Sequence, residues 1–507
     1  MHYKLLITAG FCFCSIWLLG QIEQPRRYEA SIKDGEDYYT LLSANENGLV
    51  LFRETKEIDR KKGHLWEMIK LDTALNEEWK YLHYINITYQ FLGYDYSDDY
   101  VYLLFKPGEY KVDDWWVLKI NLLTKEATEH NVKRIVPISL RDFSVFENIA
   151  IFVGQVNYRP AIIIHDFVNE RTRVLPGIYG NQTEIVDVKT DPITNTINVI
   201  LNERGYDRNL TFTIKSYNKN GELLRKTRLK PDRDISLLDG VSTTLPSGMQ
   251  FVAGTFTRKR SKYSRGMFIA RLTIDQEEEI SYYNYADFKN FFKYMKKKRE
   301  NRVKNRIARR REKGKKLKFN YKVLMHKIIE RDGNFIAIGE AYYPRYYSQN
   351  SSHRGLYSYG PGYNPSYSNY NFDGFRYTHA VILGFDKQGI KLWDNSFEIN
   401  DVVSYQLEQY VNISVEEDKI VLLYNYDNNI KSKIIQGDEV LDGKEDYDVR
   451  LQFEKDQLKK NLENFGGLEY WFNKSFFAYG VQEIQNTLDA DVDLNREVFF
   501  INKITYN

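Results

Sequence analysis

The chain is rich in charge and aromatic rings and poor in groups able to do covalent chemistry. Between Lys296 and Lys318 stand fourteen Lys or Arg and two Glu, a net +12 in 23 residues, on a 507-residue chain whose total is +3. Such a run suits an anionic surface, and Lys296, Lys297, Arg299, Arg302, Arg306, Arg309, Arg310 and Arg311 are its candidate contacts. A shorter basic loop, with Arg258, Lys259, Arg260 and Lys262, comes before it. Residues 342–377 then hold ten tyrosines set among Ser, Gly, Pro and Asn, with Asp373 the single acid. That is the composition of adaptable binding loops, where a rigid amphipathic ring gives contact area at small entropic cost. Tyr346, Tyr347, Tyr357, Tyr359, Tyr363, Tyr367 and Tyr370 are the candidate partner-binding rings.

Catalytic constellations are missing from the pattern. The eight His include no HExxH pair, and neither a nucleophile elbow nor a phosphate loop occurs. His165 closes the apolar run Ile162–Ile164 and His379 follows the tyrosine segment, both as expected of structural histidines at strand ends. Asp489, Asp491 and Asp493 alternate oxygen ligands in the manner of a calcium loop, but the Gly that turns an EF-hand is absent. A solvated connection fits these residues better, so neither metal nor cofactor is expected. Both cysteines, Cys12 and Cys14, lie in the first twenty residues, and the rest of the chain has no thiol for a disulfide, metal or nucleophile. The balance favours a non-enzymatic role.

Met1–Gly20 has the form of a secretory signal peptide: Lys4 leads into the apolar run Leu5–Gly20, with cleavage expected near Gly20 or Gln21. Phe11 and Phe13 stand where a lipoprotein signal needs small residues, so lipidation is not expected. No later stretch approaches the apolar length of a membrane helix. An exported protein is implied, periplasmic or associated with an outer membrane, or extracellular.

What must position these segments is a repeat. Strand-like apolar runs recur around Val50, Tyr102, Ile151, Val199, Phe251, Ile336, Val421 and Phe477, at steps of 52, 49, 48, 52, 85, 85 and 56. The two steps of 85 equal one ordinary unit plus an insert of about 35 residues. A period near 50 with several strands per unit predicts an all-β fold, a β-propeller of about eight four-stranded blades, with seven as the alternative. The turn Tyr217–Leu224 matches Phe385–Leu392 as aromatic, Asn/Asp, Lys, x, Gly, x, x, Leu, which supports repetition independently. The final unit lacks a fourth strand, and Arg26–Ile32 is expected to supply its outer strand and close the ring. Phe453–Phe465 is expected to be a short helix. One propeller domain is thus predicted over 21–507, carrying a basic helical insert at 286–319 and a Tyr-rich loop insert at 342–377.

Within the basic insert no Pro or Gly falls between Ser281 and Lys313, and Phe291, Met295, Val303 and Ile307 sit on one i+4 row broken only by Arg299. This predicts a helix packed near its start, solvated along most of its length and ended at Gly314. In an antiparallel four-stranded blade, second-to-third-strand loops and blade-to-blade connections emerge on one face. The basic loop, basic insert and tyrosine segment should therefore crowd one face of blades five and six.

The repeat pattern and the stretch Phe372-Asp373-Gly374-Phe375-Arg376-Tyr377-Thr378-His379-Ala380 resemble exported propeller-like proteins of Bacteroidetes-type bacteria, to which no activity is assigned. The resemblance implies an envelope location and a binding role, and it transfers no catalytic residue. The leading expectation is a cell-envelope scaffold whose partner is an envelope protein or an anionic surface such as lipid or lipopolysaccharide phosphates. Nucleic acid is disfavoured behind an export signal. The alternatives are a polysaccharide-binding or polysaccharide-degrading propeller, in which tyrosines stack on sugars, and an outer-membrane-associated subunit of a secretion or assembly complex. A membrane β-barrel is disfavoured because runs such as Ala161–Ile164 and Ala380–Leu383 are continuously apolar, whereas barrel strands alternate.

Overall fold

The computed structural model describes residues 22–33, 35–108, 114–205, 209–258, 261–273, 278–315, 317–348, 370–400, 402–487 and 492–506. The first-residue signal segment therefore lies outside the described residues. Eight separate antiparallel sheets are formed, seven with strands in simple sequential order. All eight marker residues fall on the second strand of a sheet, from Val50 in Leu49–Asp59 to Phe477 in Ser475–Gln485. The sheets are eight blades, which decides against seven.

Eight hydrophobic clusters hold the ring, each joining two successive blades and the last joining blade eight to blade one. A sheet buries both faces this way, so its middle strands carry continuous buried apolar runs, as over Ile149–Val153. The first strands of neighbouring blades lie side by side and form the inner wall. Ring closure follows the expectation: Ile22–Ile32 pairs antiparallel with Asn495–Tyr506 and completes the order first strand of the chain, last, second-last, third-last. Trp471 fastens the joint, donating its indole N–H to the Asn45 carbonyl at 2.7 Å.

The matched turns are the same object. Asn218 and Asp386 each accept from the backbone four residues on, at 2.9 and 2.8 Å, and Gly221 and Gly389 have φ of 78° and 76°. Only glycine takes that left-handed region freely.

Two expectations need correction. Phe453–Phe465 is not a helix, since Gln457–Tyr470 is the inner strand of blade eight. It looks unlike a core strand because it is an inner strand with one side open to the central cavity, and Lys459 and Lys460 stand exposed where a core strand has apolar residues. The basic insert is also not one continuous helix. Two 3-10 turns, Tyr285–Asp287 and Phe291–Tyr294, come before the α-helix Lys297–Glu312. Phe291 and Met295 thus lie off the helix, and the extended backbone at Lys296 (φ −52°, ψ 137°) makes the break.

Candidate docking surface on blades five and six

The insert joins the outer strand of blade five, Glu278–Asn284, to the inner strand of blade six, Lys322–Arg331. Its first half is a strap rather than a solvated arm. Tyr285, Phe291 and Phe292 are fully buried with Phe288 in the cluster between the two blades. Asn290 is sealed beside them. It donates its side-chain N–H to the carbonyls of Asp394 (2.8 Å) and Asp438 (3.1 Å), and its backbone N–H to the Asp394 carboxylate at 2.7 Å. Lys289 pairs with Asp438. The strap therefore touches blades five, six and seven.

Tyr294 lies flat on the His379 ring, centroids 3.8 Å apart and planes 4° from parallel. Complete burial pushes the His379 imidazole down to about 3, so it is neutral. His379 stands inside the strand Tyr370–Phe385 rather than at its start, and both it and His165 are buried structural groups.

The α-helix has three faces, because residues on it advance by about 100° each. Glu300, Val303 and Ile307 face the body, Glu300 and Ile307 buried and Val303 partly so. Burial alone would raise the Glu300 carboxyl, but hydrogen bonds from Lys304 (2.6 Å) and Lys297 (3.3 Å) outweigh it and hold the group low. One flank carries Asn301, Asn305, Ala308 and Glu312. The other carries Arg299, Arg302, Arg306, Arg309, Arg310 and Lys313, all exposed. Among the described residues none of these six has an ion pair, whereas Arg311 is spent on Asp287 at 2.8 Å. The helix ends as expected: Lys315 N–H donates to Arg310 O and Gly314 N–H to Arg311 O, each 2.9 Å, with Gly314 at φ 62°.

The basic loop of blade five meets the end of the insert. Ser264 bridges to Tyr321 through backbone hydrogen bonds of 2.8 and 3.2 Å and shares a 2.7 Å hydroxyl contact with Tyr285. Arg258 and Lys262 are exposed there, while Lys259 and Arg260 lie outside the described residues. Lys322 sits 5.8 Å from the Tyr263 ring and 6.0 Å from that of Tyr342, linking this loop to the tyrosine segment.

That segment is partly regular, which corrects its reading as a loop. Its two ends prolong the second and third strands of blade six as a ladder from Tyr342 opposite Tyr377 to Ser348 opposite Tyr370. Val403–Ser404 adds a fifth strand against Phe375 and Arg376. Gly374 permits this at φ 91°, where a Cβ would stand 2.8 Å from Val403 Cγ1 and 2.9 Å from Ser404 O. Tyr346 is 57 % exposed and packs edge-on to Phe372 at 5.8 Å. Tyr347 and Tyr370 are placed on the ladder by their backbone, whereas Tyr357, Tyr359, Tyr363 and Tyr367 lie outside the described residues. Asp489 and Asp491 do too; Asp493 is exposed, and no described cluster of His, Cys, Asp and Glu could hold a metal.

Sequence reasoning missed a set of inner-strand carboxylates. Asp95 accepts from Val145 N–H at 2.5 Å and Asp239 from Met325 N–H at 2.7 Å, each reaching the next blade's inner strand. Burial pushes both up to about 6 against those donors. Asp187 is likewise raised by burial while accepting from Ser242. Asp95, Asp142, Asp187 and Asp239 recur at near-repeat spacing, the signal that marks them. Asp95, Asp187 and Asp239 are ties between blades, whereas the exposed Asp142 accepts only from Phe143 N–H in its own strand.

No protein-family model matches the sequence, and no curated protein matches it. Solved structures of similar outline include the β-propeller domain of the Trilobed protease from Pyrococcus furiosus, at 9 % identity over 82 % of this chain and 93 % of that one, TM-score 0.36. A polysaccharide lyase matches at 9 % over 81 % and 89 %, TM-score 0.40. A protein of unknown function from Desulfotomaculum acetoxidans matches at 12 % over 75 % and 91 %, TM-score 0.37. Likeness at this level says nothing of activity, and the architecture rests on the eight sheets themselves.

Proposed function

We propose that the protein is a non-enzymatic binding propeller of the cell envelope that docks an anionic macromolecular surface on blades five and six. The observation that carries this is the one-sided stripe Arg299, Arg302, Arg306, Arg309, Arg310 and Lys313, unpaired among the described residues and mounted on a strap of buried aromatics. It runs about 21 Å at 1.5 Å per residue. Like charges at i,i+4 destabilise a helix by about 0.2–0.5 kcal/mol per pair, so the packing of Ile307 and the strap must hold it against its own repulsion. Five of the six are Arg, whose planar fork suits phosphate or carboxylate oxygens two at a time. Export of the chain, implied by Met1–Gly20, makes envelope phosphates or an acidic envelope protein the natural partners.

The test is a pull-down from native envelope with the full chain and with R302Q/R306Q/R310Q, beside sedimentation with phosphatidylglycerol and with neutral phosphatidylcholine vesicles. Salt-sensitive capture that the triple variant loses is expected. Identical partner profiles for the two proteins would remove the stripe from the account.

The exposed rings Tyr346, Phe372 and Tyr405, with Phe372 and Tyr405 centroids 6.4 Å apart, favour a second reading in which a glycan stacks there. A glycan array on a Tyr346→Ala variant separates it from the electrostatic reading.

A further inference from the structure

The middle of the ring holds a cavity of different chemistry. It has a volume of about 600 Å³ and opens between the inner strands of blades eight, one and two. The connection from blade six to blade seven, residues 402–410, and the turn 425–427 form its rim. A cavity of that size suits a small organic ligand or one side chain of a peptide.

Its lining is aromatic and acidic. Tyr94, Tyr405, Tyr410, Tyr426 and Tyr479 supply rings, and Glu408, Asp427 and Glu469 supply carboxylates. No Lys, Arg or His is among the lining residues, although the chain carries 72 Lys and Arg in all. Glu469 makes a hydrogen bond with the Tyr479 hydroxyl at 3.1 Å and has no ion pair among the described residues. Enclosure pushes its carboxyl up, though its side chain still meets the channel solvent. Glu408 is held in place, accepting from Ser404 Oγ at 3.0 Å and Tyr410 Oη at 2.8 Å.

A local departure from regular strand builds the site. In the inner strand of blade eight the pairing register slips between Leu462 and Gly467. Gly467 then leaves room for the Tyr479 ring of the next strand, whose hydroxyl would lie 3.0 Å from a Cβ at that position. A side chain there would crowd the phenol that holds Glu469. Glu408 and Tyr94 are near enough to act on the Tyr479 phenol electrostatically, so the blade-eight, blade-two and rim groups converge.

We propose that this central cavity is a binding site for an organic cation, an ammonium or guanidinium group seated among the tyrosine rings and neutralised by Glu469 and Glu408. Aromatic faces attract cations by about 0.5–2 kcal/mol each, and carboxylates without a counter-ion supply the complementary charge. A phosphate or an acidic sugar is repelled by the same three acids, which sets the site apart from the basic stripe on blades five and six. The cation can come from a free amine or from a Lys or Arg side chain of a peptide, because both present the same group.

Calorimetry on the full chain tests this with spermidine, with an N-acetylated tripeptide amide whose only charge is a central lysine, and with maltohexaose. Binding of spermidine or the lysine peptide is expected, weakened by salt and reduced at least about tenfold in Glu469→Gln. The tighter of the two names the source. Tyr94→Leu serves as a second variant that keeps all charges and is expected to weaken binding as well; circular dichroism confirms that both fold. The proposal fails if only maltohexaose binds, if neither cation binds up to about 10 mM, or if both variants bind as the parent does.

Discussion

Replacing His379 with Phe should flatten the acid sensitivity of the fold by an amount the structure sets. The imidazole is wholly buried against Tyr294, Phe291 and Tyr321, its Nδ1 2.9 Å from Thr378 Oγ1, with no carboxylate in contact among the described residues. Its pKa falls from 6.5 in the unfolded chain to about 3 in the fold. A depressed pKa means stability that is present above pH 6.5 and drains away as pH falls, because only the unfolded chain takes up the proton. At pH 5 the gap to 6.5 amounts to about 2 kcal/mol, at 1.36 kcal/mol per unit. Asp95 and Asp239, raised to about 6, work in the opposite sense and gain stability as pH falls, but they are common to both proteins. Urea unfolding of parent and H379F at pH 7.5 and pH 5 isolates the term as a difference of differences. The parent should lose about 2 kcal/mol more than the variant. Parallel losses, within about 0.5 kcal/mol, would refute a neutral buried imidazole as the reason Tyr294 seats there.

Phe291→Ala should cost about 3–5 kcal/mol, as for other fully buried aromatics, and should speed tryptic cleavage within Lys297–Glu312 as the strap loosens. Arg27→Ala leaves Glu29 with Arg496 alone, at 3.2 Å, and removes the 2.8 Å bond to Gln482 at the ring closure. A loss of about 1.5–3 kcal/mol in urea unfolding is expected for the charged hydrogen bonds removed. Gly374→Ala should cost about 1–3 kcal/mol for strain at φ 91°. Hydrogen exchange should then show faster loss of protection at Val403 and Ser404.

The architecture was legible because it repeats. Apolar second strands must be buried on both faces, so each announces itself, and two oversized steps located both inserts. The crossing of Arg26–Ile32 to the far end was legible from a missing fourth strand. The strap was legible only in part: the i+4 row read Phe291 and Met295 as helix, and that spacing hid the 3-10 turns in which Phe291 and Phe292 are buried beside Phe288. The channel was harder still. Inner strands are open on one side, so Gln457–Tyr470 lacks a continuous apolar run and Phe453–Phe465 reads as a helix, while the cavity's tyrosines and acids converge from blades far apart in sequence.

Tyr28 stands opposite Ile501 in the closing sheet. Two strands so distant along the chain pay the largest loop-closure entropy of any strand pair among the described residues. Capture of the first strand is therefore expected to come last in assembly, with the outer edge of blade eight unpaired until then. A short peptide copying Glu23–Ile32 should compete for that open edge during refolding while leaving the finished ring untouched.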